Sequence, residues 1–329
     1  MADYLIGIDL GGTNLKLSLF DFELNPVFEL RAPTEARYGA EHVLRRMADA
    51  VRLLLHKSGV AAADVRCVGV GVPGLLDKDR GVSRFSPNFP DWQEVPVAEW
   101  LSSRLCLPVV IDNDVRMHLY GEWNSGAGRG KKNIVLLTLG TGLGAGVVVD
   151  GHVLYGATNS AGEVGHLNIV PHGGRECRCG STGCLGRYVS ALGLLRTVRE
   201  KLAAGQTSVL TEWSQGDLQK ITAKMVSDAF DLNDEVAVQA MRETGETLGL
   251  GIVGMINLYN PEVLIIGGGM SGAGERLLAP ARRVVTERAL AISREVCEIT
   301  VAELGDSAGM LGAAVYARAR ALRFAGAEA

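Results

Sequence analysis

The chain lacks what a nucleic-acid, membrane or exported protein needs. Its 33 lysines and arginines are outnumbered by 37 acidic residues, a formal net charge of −4. No basic field is available to hold a nucleic-acid backbone. Apolar runs such as IVLLTLG at 134–140 and VLIIGG at 263–268 stop well short of the ~18 residues that span a bilayer. The opening MADYLIGIDLGG has no basic segment ahead of its one short apolar run, so it does not read as an export signal. Aromatics supply only 5% of the residues. A Walker loop is missing, since no Gly-Lys-Ser/Thr follows any glycine run. These absences predict a cytoplasmic protein with neither a nucleic-acid nor a membrane partner.

What is abundant is glycine: 42 in 329 residues, nearly double the usual ~7%. No low-complexity tract absorbs them, so they lie within folded segments, where they mark tight turns or a backbone that approaches something closely. At roughly 150 residues per domain the length predicts two domains. The first half reads as strands YLIGIDL, LKLSLF and NPVFELRAP, an amphipathic helix from Glu41 to Lys57 with Leu44, Met47, Val51 and Leu54 on one face, then strands VRCVGVGVPG and PVVIDND. A similar series follows: a strand over Asn133 to Leu139, paired strands AGVVVD and HVLYG, a helix from Glu235 to Tyr259 stopped by Asn260-Pro261, and strands EVLIIGGG and VCEITVAEL. A duplicated α/β unit, offset by roughly 130 residues, explains the repetition. The alanine-rich helix from about Ser307 to Phe324 is expected to pack back on the first half. The boundaries expected are 1–120 plus 307–329 for a smaller α/β domain, and 121–306 for a larger one. In open α/β sheets ligands sit at the strand carboxyl ends, here expected in a cleft between the halves.

Two stretches match the Gly-x-Gly-x-x-Gly/Ala pattern, Gly69 to Gly74 and Gly140 to Ala145. A dinucleotide site needs a helix directly after the loop, whereas polar LLDKDRGVS follows the first and a strand the second. What remains is a pair of strand–glycine–strand hairpins, Asp9 to Thr13 and Leu139 to Gly144. Either alone can be a plain β-turn. In matching positions of a duplicated unit, their bare amides and threonine hydroxyls can wrap phosphate oxygens, and Asp9 beside them can hold a hydrated Mg²⁺.

The six cysteines divide into two groups. Cys67, Cys106 and Cys297 stand beside apolar runs and read as buried thiols. Cys177, Cys179 and Cys184 crowd together behind His166. One imidazole and three thiolates make a closed tetrahedral Zn²⁺ site with no position for water, so the metal is expected to be structural. His152 and His172 lack such spacing and read as surface residues. Strand PVVI runs into Asp112-Asn113-Asp114, which suits either hydroxyl binding with proton acceptance or an Asx turn into the next helix. Lys16 and Arg116 read as solvated or structural.

DLGGTN (9–14), LTLGTGLGAG (137–146) and IIGGGMSGAGE (265–275) resemble the phosphate and adenosine segments of actin-like sugar kinases. GEVGH (162–166) followed by CRCGSTGC (177–184) resembles the hallmark of the ROK family of sugar kinases, repressors and open reading frames. The likeness runs from about residue 5 to about 315. It implies two RNase H-like (actin-like) α/β domains with duplicated βββαβα units and an ATP-dependent sugar kinase that forms a homodimer. Asp114 is then the general base. Gly74, Asn88, Asn113, Glu163 and His166 contact the sugar. Gly11, Gly12, Thr13, Asn14, Thr138, Gly140, Thr141 and Gly142 contact ATP phosphates, with adenosine near Gly267, Gly268 and Gly269. Asp9 positions Mg²⁺, while His166, Cys177, Cys179 and Cys184 hold structural Zn²⁺. Family repressors carry an extra N-terminal DNA-binding domain, and this sequence opens directly on the first phosphate strand, which favours the enzyme. One departure stands out. Family members commonly have Cys-x-Glu at the end of the cluster, and here the residues are Cys184-Leu185-Gly186. Glucose is the leading substrate; an amino or N-acetyl sugar or a cyclitol is the alternative. Outside the kinases, the rivals are a non-catalytic sugar-sensing regulator and a hydrolase or acetate-kinase-like enzyme.

Overall fold

The computed structural model describes residues 3–86 and 89–327. Strands β1 (Tyr4–Leu10), β2 (Asn14–Asp21) and β3 (Pro26–Pro33) form where branched and aliphatic residues run without helix-period spacing. Helix α1 (Ala40–Ser58) follows, burying Leu44, Met47, Val51 and Leu54 as its periodicity predicts, and ends at Gly59, whose φ of 72° allows the left-handed cap. Next come β4 (Val65–Val72), three short strands β5 (Leu75–Asp77), β6 (Val82–Phe85) and β7 (Gln93–Val95), helix α2 (Val97–Leu105), β8 (Val109–Asn113) and α3 (Asp114–Ser125). The later chain supplies β9 (Ile134–Leu139), β10 (Leu143–Val149), β11 (His152–Val153), α4 (Gly186–Val189), α5 (Ala191–Ala203), α6 (Val209–Trp213) and α7 (Ala223–Asp231). Helix α8 (Glu235–Tyr259), β12 (Val263–Gly267), α9 (Glu275–Arg288), α10 (Ala291–Arg294), β13 (Glu298–Val301) and α11 (Ala308–Ala327) complete it.

The sheets carry the duplication. One runs β3-β2-β1-β4-β8 and the other β11-β10-β9-β12-β13, the same spatial order in each. In both, a hairpin strand pairs antiparallel with the central strand, and two further strands add in parallel. Strands β5, β6 and β7 form a separate small sheet that the sequence did not announce, because LLD, VSRF and QEV are too short for a period to register.

The chain divides into two units, residues 1–130 with 155–161 and 303–329, and residues 131–154 with 162–302. The first extends past the expected boundary at 120 because α3 is part of it. Glu122, fully buried on α3, accepts the backbone N–H groups of Glu303 and Leu304 at 3.1 and 2.8 Å and of Ala127 at 3.0 Å. Helix α11 packs on β1, β4 and α3, with glycines at the contact points. A Cβ on Gly7 would lie 1.9 Å from the Met310 carbonyl oxygen, one on Gly69 2.0 Å from that of Ala313, and one on Gly312 1.6 Å from that of Met117. Much of the glycine excess thus serves close approach of helix to sheet and helix to helix. The second unit has its own core, centred on Leu137, Leu248, Ile252 and Ile266. Asp234 starts α8 by accepting the Ala237 N–H at 3.0 Å, and Asn260 ends it in the left-handed conformation. Among the described residues no helix is long and apolar enough to cross a membrane.

Candidate functional site

The carboxyl ends of β1, β4 and β8 put Asp9, Gly71 and Asp112 in register across three parallel strands. The following residues turn into α3 through an Asx cap. The Asn113 side-chain oxygen accepts from Val115 N (3.0 Å) and Arg116 N (3.3 Å), and its amide nitrogen donates to the Gly74 carbonyl at 3.1 Å. The turn reading of this segment is therefore realised, and one amide N–H of Asn113 stays available to a ligand. Gly74 has φ 101°, and a Cβ there would strike the Phe85 carbonyl at 2.1 Å. Only glycine brings this backbone so close to β6.

Asp114 is the first residue of α3. The residue is half-buried, and burial pushes its carboxyl up to about 6, the His118 charge opposing and Asp9 adding to the rise. The His118 ring reaches back to the Asp114 carbonyl, Nδ1 to oxygen 2.9 Å. Gly309 of α11 lies directly against these groups, since a Cβ there would lie 2.9 Å from Asp9 Cγ and 3.1 Å from His118 Cε1. Nothing in the sequence pattern singled out His118 or Gly309: the first is placed by the turn of α3 that follows Asp114, and the second depends on α11 returning from the far end of the chain. Asp9 itself is 8% exposed, a carboxylate whose hard oxygens suit a hydrated divalent cation. Beyond it the β1–β2 turn is tied by Gly11 N to Asn14 O (3.0 Å) and by Thr34 Oγ1 donating to Gly11 O (2.7 Å), leaving Gly12, Thr13 and Asn14 exposed.

Asp112 faces inward and is fully buried. Its Oδ1 accepts from Arg116 Nε (2.7 Å) and from the Asn113 backbone N–H (2.7 Å), and its Oδ2 accepts from the Tyr155 hydroxyl at 2.8 Å. Arg116 is thus structural, and Lys16 likewise pairs with Asp306 at 3.0 Å. Asn88 lies outside the described residues.

In the second unit, the β9–β10 turn is closed by Gly140 N to Gly142 O at 2.9 Å, with Thr141 and Gly142 exposed. Thr138 pairs with Gly267 in the adjoining strand. Gly268, at φ 80°, lies so near Leu139 that a Cβ would meet its carbonyl oxygen at 2.5 Å. The sheet therefore assembles Thr138, Gly140, Thr141 and Gly142 beside Gly267, Gly268 and Gly269.

The GEVGH segment packs on this hairpin, with the Gly162 and Gly165 Cβ positions 2.3 Å from the carbonyls of Ala145 and Leu143. His166 projects Nδ1 toward Cys177 Sγ at 3.6 Å and Nε2 toward the Glu163 carboxylate at 4.0 Å. Cys179 Sγ and Cys184 Sγ are 3.7 Å apart, and all four donor atoms lie within 4.8 Å of one another. A tetrahedron with ~2.3 Å zinc–sulfur bonds has edges of about 3.8 Å, so a donor set gathered within 4.8 Å is compatible with Zn²⁺. The Ser181 N–H and the neighbouring thiols lower Cys179 to about 7, whereas burial raises Cys184 to about 12. Gly186 opens α4, where a Cβ would lie 3.2 Å from Gly165 O and 3.5 Å from Leu143 Cβ. The side chain missing there is missing beside the GEVGH segment. Outside the cluster, Cys67 is buried and Cys297 half-buried, but Cys106 is exposed, contrary to its apolar neighbourhood, because it takes the left-handed position that ends α2. His152 and His172 are exposed.

The sequence matches the model of the ROK family over residues 5–320. It is 37% identical to a glucokinase of Thermotoga maritima over 96% of this chain and 98% of that protein. It is 32% identical to a xylose repressor of Caldicellulosiruptor bescii over 94% of this chain and 76% of the repressor. The crystal structure of a ROK family glucokinase from Streptomyces griseus, in complex with glucose and AMPPNP, superposes with a TM-score of 0.82 at 33% identity, covering 96% of this chain and 99% of that one.

Proposed function

The chain belongs to the ROK family, and on that premise we propose that it transfers the γ-phosphate of ATP to a hydroxyl of a hexose, glucose first among candidates. The observation that carries the reading is Asp114, a carboxylate held at the carboxyl end of a parallel strand and raised to about 6, close enough to neutrality to accept a hydroxyl proton. The similarity to glucokinases over nearly the full chain supports the substrate class.

The sugar hydroxyl attacks the γ-phosphorus. As the new oxygen–phosphorus bond forms, the O–H proton passes to the Asp114 carboxylate, and the bond to the β-phosphate oxygen breaks with its electrons leaving on ADP. The transition state of such transfers is loose, so positioning and charge stabilisation outweigh base strength. Gly74 and Asn113 orient the sugar from the first unit, while Glu163 and the Nε2 side of His166 supply further hydroxyl contacts. The exposed groups of Gly12, Thr13 and Asn14, and those of Thr141 and Gly142, take phosphate oxygens, while Gly11, Thr138 and Gly140 shape the two turns that present them. Gly268 and Gly269, exposed just past buried Gly267, put bare backbone where adenosine would lie. Asp9 would hold Mg²⁺, which neutralises phosphate charge. His166, Cys177, Cys179 and Cys184 would hold Zn²⁺, which fixes the loop and leaves the outer nitrogen of His166 pointed at ligand.

Gly186 places no side chain beside the GEVGH segment, where family members commonly carry a glutamate, and buried polar contacts set large discrimination between substrates. Amino, N-acetyl and cyclitol acceptors therefore belong in the same test. The resemblance to a xylose repressor keeps sugar sensing as the reading from another class. A coupled ADP-release assay across glucose, mannose, N-acetylglucosamine, N-acetylmannosamine, inositol and acetate decides among them. Sugar-dependent ADP release, highest with one hexose, is expected. Sugar-induced thermal stabilisation with no ADP from any acceptor would make the protein a sensor instead.

A further inference from the structure

Tyr155 is reached by the chain only after β11, yet it belongs with the first unit, in the isolated segment 155–161. Its hydroxyl donates to Asp112 Oδ2 at 2.8 Å and lies 2.9 Å from the Tyr120 hydroxyl. Asp112 is a carboxylate paired with Arg116, so it only accepts. The single Tyr155 proton is therefore committed to Asp112, and Tyr120 must donate to the Tyr155 oxygen. Burial beside Asp112 keeps the Tyr155 phenol protonated far above neutrality. Two cations lie near its ring, Lys78 Nζ at 4.6 Å and the Arg116 guanidinium at 5.1 Å from the ring centre.

The carboxylate so held is not an isolated core charge. The same Asp112 group accepts the backbone N–H of Asn113, so both of its oxygens are used between the strand end, the first turn of α3 and Tyr155. Asn113 in turn caps α3, and Asp114 is that helix's first residue. We infer that the buried Asp112–Tyr155 pair is a positioning device for the reaction: it sets the backbone of the Asn113–Asp114 step, so that Tyr155 governs turnover without touching substrate. A buried carboxylate whose second oxygen loses its donor must find another, and the peptide bonded to its first oxygen shifts with it. Misplacement of a reacting group by about 1 Å can cost on the order of 10²-fold in rate.

The inference rests on the kinase reading, and the experiment separates the two. Tyr155→Phe keeps the ring beside its cations and removes only the hydroxyl. Tyr120→Phe removes a hydrogen bond from the same network but leaves the Asp112 contact intact. With the best sugar and saturating Mg-ATP, Tyr155→Phe is expected to lower kcat at least ~10-fold with sugar KM within about twofold of the parent, while Tyr120→Phe stays near parental kcat. Asp112→Asn, the second variant should Tyr155→Phe fail to fold, puts an amide opposite Tyr155 and is expected to show the same kcat loss at unchanged KM. Parental kcat in Tyr155→Phe, or equal losses in Tyr155→Phe and Tyr120→Phe that follow their melting temperatures, would reduce the pair to ordinary core structure. A parent protein that releases no ADP with any sugar would defeat the kinase reading itself.

Discussion

Asp114 shows how a single residue's surroundings decide its chemistry. An aspartate in water is ionised above pH ~4, a poor acceptor near neutrality; here burial, with Asp9 close by, brings it to about 6. The groups that act on it are His118 from its own helix and Asp9 from β1, and the bare Gly309 of α11 lies against both of those side chains. Two consequences follow from the sign of the shift. The base works only when ionised, so kcat/KM for sugar should fall about tenfold per pH unit below about 6. For folding the sense is reversed: protonated Asp114 contributes stability that is present below its ordinary 3.8 and lost as pH rises through about 6. A pH–rate profile from 4.5 to 8.5 tests this. An acid limb near 4 would show that the carboxyl is ordinary. The residues of Asn113-Asp114 alone suited either a hydroxyl site or an Asx turn, and it was the resemblance to the sugar kinases that singled out the pair. Tyr155 could not be picked out from the sequence, since its partner lies 43 residues away and neither YGATN nor VVIDN carries a pattern pointing to the other.

At the scale of elements, the loop from Gly173 to Gly183 is held in two ways. The Cys177, Cys179, Cys184 and His166 donors gather its tip and base. Arg175 fastens its start to the helices behind, donating to the carbonyls of Arg187 (3.0 Å) and Gly193 (3.1 Å), to Thr197 Oγ1 (2.9 Å) and to Glu200 Oε2 (2.6 Å). Stripping the metal should therefore loosen the tip and free the His166 ring, while α4 and α5 stay in place. One zinc per chain is expected by metal analysis. Its removal by a chelator should weaken sugar binding by roughly 10-fold or more and lower the melting temperature, with helical circular dichroism nearly unchanged. A chain that binds no zinc with its thiols reduced would contradict this. The metal cluster was legible because ligand type and spacing are local. So were α1, α8 and the long strands, whose apolar runs or periods extend over several residues. The strands of the small sheet, three or four residues each, and the exposed cap at Cys106 were not, because tertiary packing and cap geometry decide them.

For the whole molecule, the repeated sheet order is what the repeated strand–glycine–strand pattern foretold, and each unit carries its own glycine turn on its own sheet. The return of α11 to β1, β4 and α3 was expected from its alanines, but the density of that contact shows only in space, where Gly7, Gly69 and Gly312 admit backbone oxygens. A glycine count cannot say which glycines serve turns and which serve packing. If Asp114 is the base proposed above, stability and activity meet there, where a carboxylate kept from water costs the fold what the reaction needs. Asp114→Asn is thus the most direct measurement: kcat by ADP release, sugar affinity by calorimetry and melting temperature on the same preparation. The expected result is at least ~100-fold lower kcat, near-parental sugar affinity, and a melting temperature at neutral pH equal to or above that of the parent. Turnover close to the parental rate, with binding intact, would contradict the assignment of Asp114 as the base.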